Sequence, residues 1–370
     1  ASKALTIAGC DIYHPSQDDL TGKEISFCGD MTRSLKKDNY LVIETEAQGF
    51  PEWTPYSGQL KLQAFSHLAS GADSVMYWHW HSIHNACETY WKGILSHDLQ
   101  ENAIYREVSQ IGKSFEALSD KLIHLKKTNQ AAIMVSNEAL TALNWFQIPG
   151  GKTSYNDVVR WIYDALYEQN IECDIIWTDE TNLDAYKVIF VPALYSAPKE
   201  VFERLSAFAA NGGTLVATFK TGFTDEQTKQ ILEAAEVIPV MKASNTSYVV
   251  NVMKELLGQA AAKLGDKCSI EIIDMHSETK KDAPSGTAIE FAEEMAAKSP
   301  DKSYDDITFH SVRAGNTPST HTVIFGCMGE KLEISHDAYD WNCYASGACD
   351  AALFMEGKAP GSYTMEDVIR

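Results

Sequence analysis

The chain has 370 residues, 45% of them hydrophobic, which is a normal globular composition but too long for one ordinary core, so two or three domains are expected. Its 51 acidic against 31 basic residues give a formal charge of -20, and with no Lys/Arg cluster to offset it this argues against a nucleic-acid partner. The eight cysteines, at 10, 28, 87, 173, 268, 327, 343 and 349, form no CxxC pair or metal-type spacing, and there is neither a long apolar span nor a basic-then-apolar leader. Reduced thiols, no metal, no membrane partner and a cytoplasmic location are the expectations.

The first residues lack a starting methionine and fall straight into an apolar run, as if the true beginning were missing. Residues 4 to 12 read as a buried strand, about 22 to 37 as a helix, and Tyr40 to Ile43 as a strand that delivers Glu44. A continuous apolar run closed by a carboxylate is how a parallel strand looks when both faces are buried and its C-terminal end opens on a site. Residues 59 to 70 have helical spacing at Leu62, Phe65 and Leu68, and residues 73 to 80 read as another strand. This alternation predicts α/β architecture. His79, His81 and His84 lack a neighbouring Cys or Asp to complete a metal set. Glu44 and Glu88 sit where strands run into loops, as the carboxylates of a glycosidase would.

The runs DIYHPSQDDLTG, LVIETEAQGFPEWTPYSGQLKLQAFSHLASGA and YWHWHSIHNACETYWKGILSHD resemble the last part of the catalytic barrel of β-galactosidases of glycoside hydrolase family forty-two. The resemblance implies that Glu44 is the nucleophile of a retaining mechanism, that Tyr13 lies beside it, that Trp53 stacks on the sugar and that Glu88 binds its hydroxyls. A galactoside is the implied substrate. It implies a barrel fragment over residues 1–126, since a whole (β/α)₈ barrel takes about 250 residues. The family's general acid/base Glu lies on an earlier strand, and no matching segment is found, so the chain is expected not to hydrolyse a glycoside.

Residues 101 to 126 carry apolar positions at Ile104, Val108, Ile111, Phe115, Leu118 and Leu122, the spacing of a packed helix. Strands are predicted near 131 to 136, 172 to 177, 186 to 191 and 214 to 218, with helices near 154 to 169 and 198 to 210, a flavodoxin-like doubly wound pattern. Neither GxGxxG nor GxxxxGK[ST] occurs, and Gly150-Gly151-Lys152-Thr153 reads as a plain loop. Residues 127–223 resemble the domain that follows the barrel in the same β-galactosidases, where it mediates trimer formation, so a homo-oligomer is implied.

The stretch Asn211 to Gln227 reads as a Gly-Gly turn, the apolar strand Leu215, Val216, Ala217, a second turn, and a Thr224/Gln227 capping box that opens a helix. From there the resemblance changes. TGFTDEQTKQILEAAEVIPVMKASNTS, HSETKKDAPSGTAIEFAEEM, VRAGNTPSTHTVIF and GEKLEISHDA resemble 4-hydroxy-tetrahydrodipicolinate reductase, an NAD(P)H enzyme of lysine biosynthesis. Residues 224–370 would be its substrate-binding domain, a mixed α+β sheet with helices on one side.

Without any family, Ser269 to Ile273 reads as a strand that delivers His276 and Lys280, and Pro284 with Ser285 introduces a helix from Gly286. A helix N-terminus beside a lysine suits a carboxylate. The resemblance implies that Lys280 is the general acid and His276 its assistant. It further implies that Ser285, Gly286 and Thr287 hold a dicarboxylate, and that Arg313 and His321 line the same pocket. The reductase's Gly-rich dinucleotide turn has no counterpart, so no cofactor is expected on this chain, although NAD(P)H serves the reductase parent. The whole reads as a chimera joined near residues 221–223, incomplete for both activities. The alternative is a non-catalytic oligomerising and dicarboxylate-binding module.

Overall fold

The computed structural model describes residues 4–48, 54–89, 91–146, 154–218 and 223–370. Trp53, the 150–153 glycine loop and residues 219–222 lie outside them. The chain divides into two compact units, one of residues 1–129 with 172–176, the other of 130–171 with 177–370. The elements begin with β1 (Ala8–Asp11), α1 (Lys23–Ser34), β2 (Tyr40–Glu46), α2 (Gln59–Ala69), β3 (Ala72–Trp78) and α3 (Ala103–Leu122). Next come β4 (Ala131–Val135), α4 (Asn137–Trp145), α5 (Tyr155–Glu168), β5 (Cys173–Trp177), β6 (Val188–Pro192), α6 (Lys199–Ala210) and β7 (Thr214–Thr218). Then follow α7 (Asp225–Ala235), β8 (Pro239–Met241), α8 (Tyr248–Leu264), β9 (Cys268–His276) and α9 (Gly286–Lys298). The last are β10 (Ile307–Arg313), β11 (Ser319–Cys327), β12 (Glu330–Ala338), α10 (Asn342–Met355), β13 (Gly361–Tyr363) and α11 (Met365–Ile369).

In the first unit β1, β2 and β3 form a parallel sheet in chain order, with helices as the crossovers. Tyr40 and Val42 are wholly buried in it beside Ala8, Ile12 and Ala72. The register slips at Ile43: Cys10 faces Val42, but Asp11 faces Glu44. Against β3 the same stretch slips between Val42 and Thr45. Such a bulge re-aims the side chain beyond it, and that side chain is Glu44. The predicted strand thus continues past Glu44 to Glu46.

Helix α3 starts where Asn102 accepts from the Tyr105 N–H and buries Ile104 and Ile111, with Val108 and Phe115 packed alongside. It stops at Leu122, short of the predicted Lys126, because His124 turns back and donates its backbone N–H to Asp73 at 2.9 Å. Residues 172–176 belong to this unit through Asp174, which accepts from Arg33 at 2.8 Å and Asn129 at 2.7 Å.

In the second unit β4, β6 and β7 run parallel, and their central residues Ile133, Ile189 and Phe190 are fully buried, as continuous apolar runs in a covered sheet should be. Helix α5 opens with a reciprocal Ser154/Asp157 capping box and buries Val159, Ile162, Tyr163 and Leu166. Helix α4, capped by Ser136, was not among the sequence expectations. The Thr224/Gln227 capping box is present and opens α7.

Strands β9 to β12 make a mixed sheet in the order β10-β9-β11-β12, with β10 parallel to β9 and the other pairs antiparallel. Its core joins Ile270, Ile272, Val323 and Phe325 of the sheet to Met253 and Leu257 of α8 and Phe291 and Met295 of α9. The strand β8 pairs with β13 in a separate two-stranded sheet.

Candidate functional site

Strand β9 alternates strictly, with Cys268, Ile270, Ile272, Asp274 and His276 all inward. The first three feed the core, whereas the last two put a carboxylate and an imidazole on the same face. Register continues this polar line across the sheet: Ser311 of β10, Asp274, His321 of β11 and His336 of β12 are successive cross-strand partners. Arg313 pairs in register with His276.

The N-terminus of α9 lies over this row. Ser285 is its N-cap, its Oγ accepting from the Ala288 N–H at 3.2 Å. The same hydroxyl lies 3.1 Å from His321 Nε2 in a hydrogen bond whose direction follows the His321 tautomer. Gly286 is exposed, with open space where a Cβ would stand. The helix's first internal bond runs from the Ile289 N–H to the Ser285 carbonyl, so the Gly286 and Thr287 N–H groups precede the ladder. Thr287 Oγ1 accepts from Asn245 at 3.1 Å, which leaves its own proton to donate.

Asp274 is fully buried and accepts from Ser311 at 2.5 Å, from Arg313 at 2.8 Å and from the Ser285 N–H at 3.0 Å. Burial alone would push its carboxyl up, but these donors outweigh it and hold it below the usual range. Burial, reinforced by the Lys280 and Arg313 charges, lowers His276 to about 4. Burial, with His276 and His336 beside it, lowers His321 to about 3. Both rings are therefore neutral at neutral pH. Lys280 is half-buried and pairs with Asp282 at 2.9 Å. The structure thus gathers His276, Ser285, Arg313 and His321 around Asp274, a residue that no motif singled out. The signal was an acidic residue at an inward strand position.

In the first unit the bulge presents Glu44 to Tyr13, whose hydroxyl donates to Glu44 Oε1 at 2.6 Å. Burial, then this bond and the Glu44 charge, push the Tyr13 phenol well up, so it stays a donor. Trp91 stands edge-on to Tyr13 at 5.8 Å. Glu88 is exposed in a turn. His79, His81 and His84 each bond a backbone carbonyl, those of His81, Ser82 and His97. The second unit also contains a cavity of about 680 Å³ bordered by Trp161, Leu215, Ala217, Val240 and Trp341, which holds none of the predicted site residues.

Comparison with known proteins gives three family matches. Residues 1–118 match the model described as beta-galactosidase, residues 129–243 the beta-galactosidase trimerisation domain, and residues 249–369 the C-terminus of dihydrodipicolinate reductase. A 4-hydroxy-tetrahydrodipicolinate reductase from Akkermansia muciniphila is 41% identical over 180 residues, covering 44% of this chain and 72% of that protein. One from Hahella chejuensis is 36% identical over 191 residues, covering 47% of this chain and 71% of that protein. The crystal structure of a beta-galactosidase from Bacillus circulans sp. alkalophilus superposes with a TM-score of 0.54 at 30% identity over 59% of this chain. The match spans 33% of that enzyme.

Proposed function

We propose a function from one premise: the chain belongs to the 4-hydroxy-tetrahydrodipicolinate reductase family through its C-terminal part, and is a chimera of that family with the β-galactosidases. On this reading residues 224–370 bind a dicarboxylate of the dipicolinate type. The observation that carries it is the start of α9, where the Gly286 and Thr287 N–H groups precede the helix ladder and Gly286 has open space at its Cβ position, beside a row of neutral histidines and Lys280. One carboxylate takes those N–H groups and the Thr287 hydroxyl, and the Lys280 ammonium takes the other. Lys280 is the proton donor and neutral His276 assists it, while His321 and Arg313 line the pocket from behind.

The nicotinamide cofactor of the reductase parent does not fit the residues described. The strand-to-helix turn after β4 has no glycine, its helix is already capped by the Ser136 hydroxyl, and the Ser136 N–H is given to the Tyr155 hydroxyl at 2.9 Å. A pyrophosphate would have to displace both.

On the β-galactosidase reading of residues 1–126, Glu44 serves as the nucleophile and Tyr13, Trp53 and Glu88 as sugar contacts. An ionised Glu44 would attack an anomeric carbon, but the reaction also needs a second carboxyl to protonate the leaving oxygen. Residues 127–223 are the assembling segment. The match of residues 129–243 to a trimerisation domain favours the second reading, a non-catalytic module that oligomerises and binds a dicarboxylate.

Titration calorimetry with dipicolinate tests the binding function. Heat from the wild-type chain that is lost in Lys280→Ala is expected. A wild-type chain that gives no saturable heat would end the proposal.

A further inference from the structure

We infer that Asp274 is the positioning residue of this pocket, and that Arg313 serves it rather than the ligand. The inference rests on the dicarboxylate reading for its substrate but on geometry for its mechanism. Three chain segments carry the proposed site groups, and Asp274 holds all of them. Its Oδ2 receives the Ser285 N–H at 3.0 Å and so fixes the first turn of α9. The same oxygen receives Arg313 Nη2 at 2.8 Å, and that nitrogen also donates to the Asp282 carbonyl at 2.6 Å, fastening the loop that bears Lys280. It stands 3.7 Å from His276 Nε2, two residues along its own strand. Ser311 takes the other carboxylate oxygen at 2.5 Å.

The guanidinium is engaged on its inner side. Arg313 Nη1 donates to the carbonyls of Asp274 and Val312 at 3.2 and 2.7 Å. A group so occupied cannot clamp a substrate carboxylate without releasing the loop. A neutral residue in place of Asp274 would leave Arg313 and the Ser285 N–H short of an acceptor, and buried groups in that state rearrange. The consequence falls on the pocket, because the Lys280 loop and the helix start lose the anchor they share.

The test compares Asp274→Asn, which keeps the shape and removes the charge, with Arg313→Gln, which leaves Asp274 in place and frees the loop. Both are expected to weaken dipicolinate binding at least about tenfold, the scale of loss that small misplacements cause. Amide exchange at Ser285, whose N–H Asp274 accepts, and at Ala288, which the Ser285 cap holds, should quicken in Asp274→Asn. The His276 titration followed by NMR should also move downward. Asp274 and Asp282 raise it, while burial, Lys280 and Arg313 lower it and the His321 ring lies 5.1 Å away, so removing one anion leaves the lowering groups in excess. A generic loss of stability would not shift that titration in a folded variant.

Unchanged binding in folded Asp274→Asn, with unchanged exchange and titration, overturns the inference. If that variant does not fold, wild-type binding in Arg313→Gln overturns it. If the wild-type chain binds no dipicolinate, the substrate reading fails, and the Ser285 and Ala288 exchange rates and the His276 titration still decide whether Asp274 positions these segments.

Discussion

Glu46 shows at a single residue how burial sets charge. It is 1% exposed, and burial raises its carboxyl from 4.5 to about 7, while burial also lowers neighbouring His14. Burial thus disfavours the charged form of both partners, and their 3.1 Å approach is a contact without a hydrogen bond at Glu46 Oε1 rather than an established ion pair. A carboxyl raised on folding contributes stability that is complete below the unfolded value and is lost as pH climbs through the folded one, here from 4.5 to about 7. Glu46→Gln should consequently gain more stability over the wild type at pH 8 than at pH 4.5, by roughly 3 kcal/mol from the size of the shift. Urea midpoints at the two pH values check this, and an equal difference at both would refute it. His67, lowered to about 3 by burial and then by His14, acts in the opposite window, losing stability as pH falls below 6.5, and cancels between the two proteins. Little of this was legible in the sequence. Glu44 announced itself at the end of an apolar run and Asp274 only through its inward place in the alternation of β9, whereas Glu46 differs from surface acids only in where folding puts it.

At the scale of elements the sequence was more informative, because helix caps and strand alternation are local. The Thr224/Gln227 box appears as read, and Thr224→Ala should cost about 1 kcal/mol and fray the first turn of α7, seen as faster amide exchange at Gln227 and Thr228. Retained protection there would mean that packing rather than the cap starts the helix. Helix α4 escaped notice since its nine residues are too short for a clear apolar period, and the bulge at Ile43 is a property of two neighbouring strands that one strand's sequence does not carry. Close approach of elements was equally hidden. In α10 a Cβ on Gly347 would stand 1.7 Å from the Thr246 carbonyl oxygen, a backbone atom that has no rotamer to yield. Gly347→Ala should therefore force α10 away from the start of α8 and cost about 1–3 kcal/mol, with a lowered melting temperature as the readout. A melting temperature equal to that of the wild type would show that the helix slides freely.

For the whole molecule the join is the governing fact. The β-galactosidase trimerisation match runs through residue 243, past the Asn211–Gln227 stretch, and the reductase match begins at residue 249, so strand β7, helix α7 and strand β8 lie within the β-galactosidase match. Local rules carried across the join do not carry chemistry, because catalysis depends on groups from distant segments. A retaining glycosidase needs its two carboxyls about 5–5.5 Å apart, one as nucleophile and one as acid. Glu44 has a donor in Tyr13, and on the sequence reading that no segment here supplies the family's acid, the carboxylate would meet a sugar whose leaving oxygen stays unprotonated. The 370-residue chain is accordingly expected to give no turnover of a chromogenic β-galactoside and no NAD(P)H oxidation with a dihydrodipicolinate substrate. It should nevertheless give an oligomeric mass by light scattering if the trimerisation segment still assembles. Robust hydrolysis abolished by Glu44→Gln would establish that another carboxyl of this chain acts as the acid.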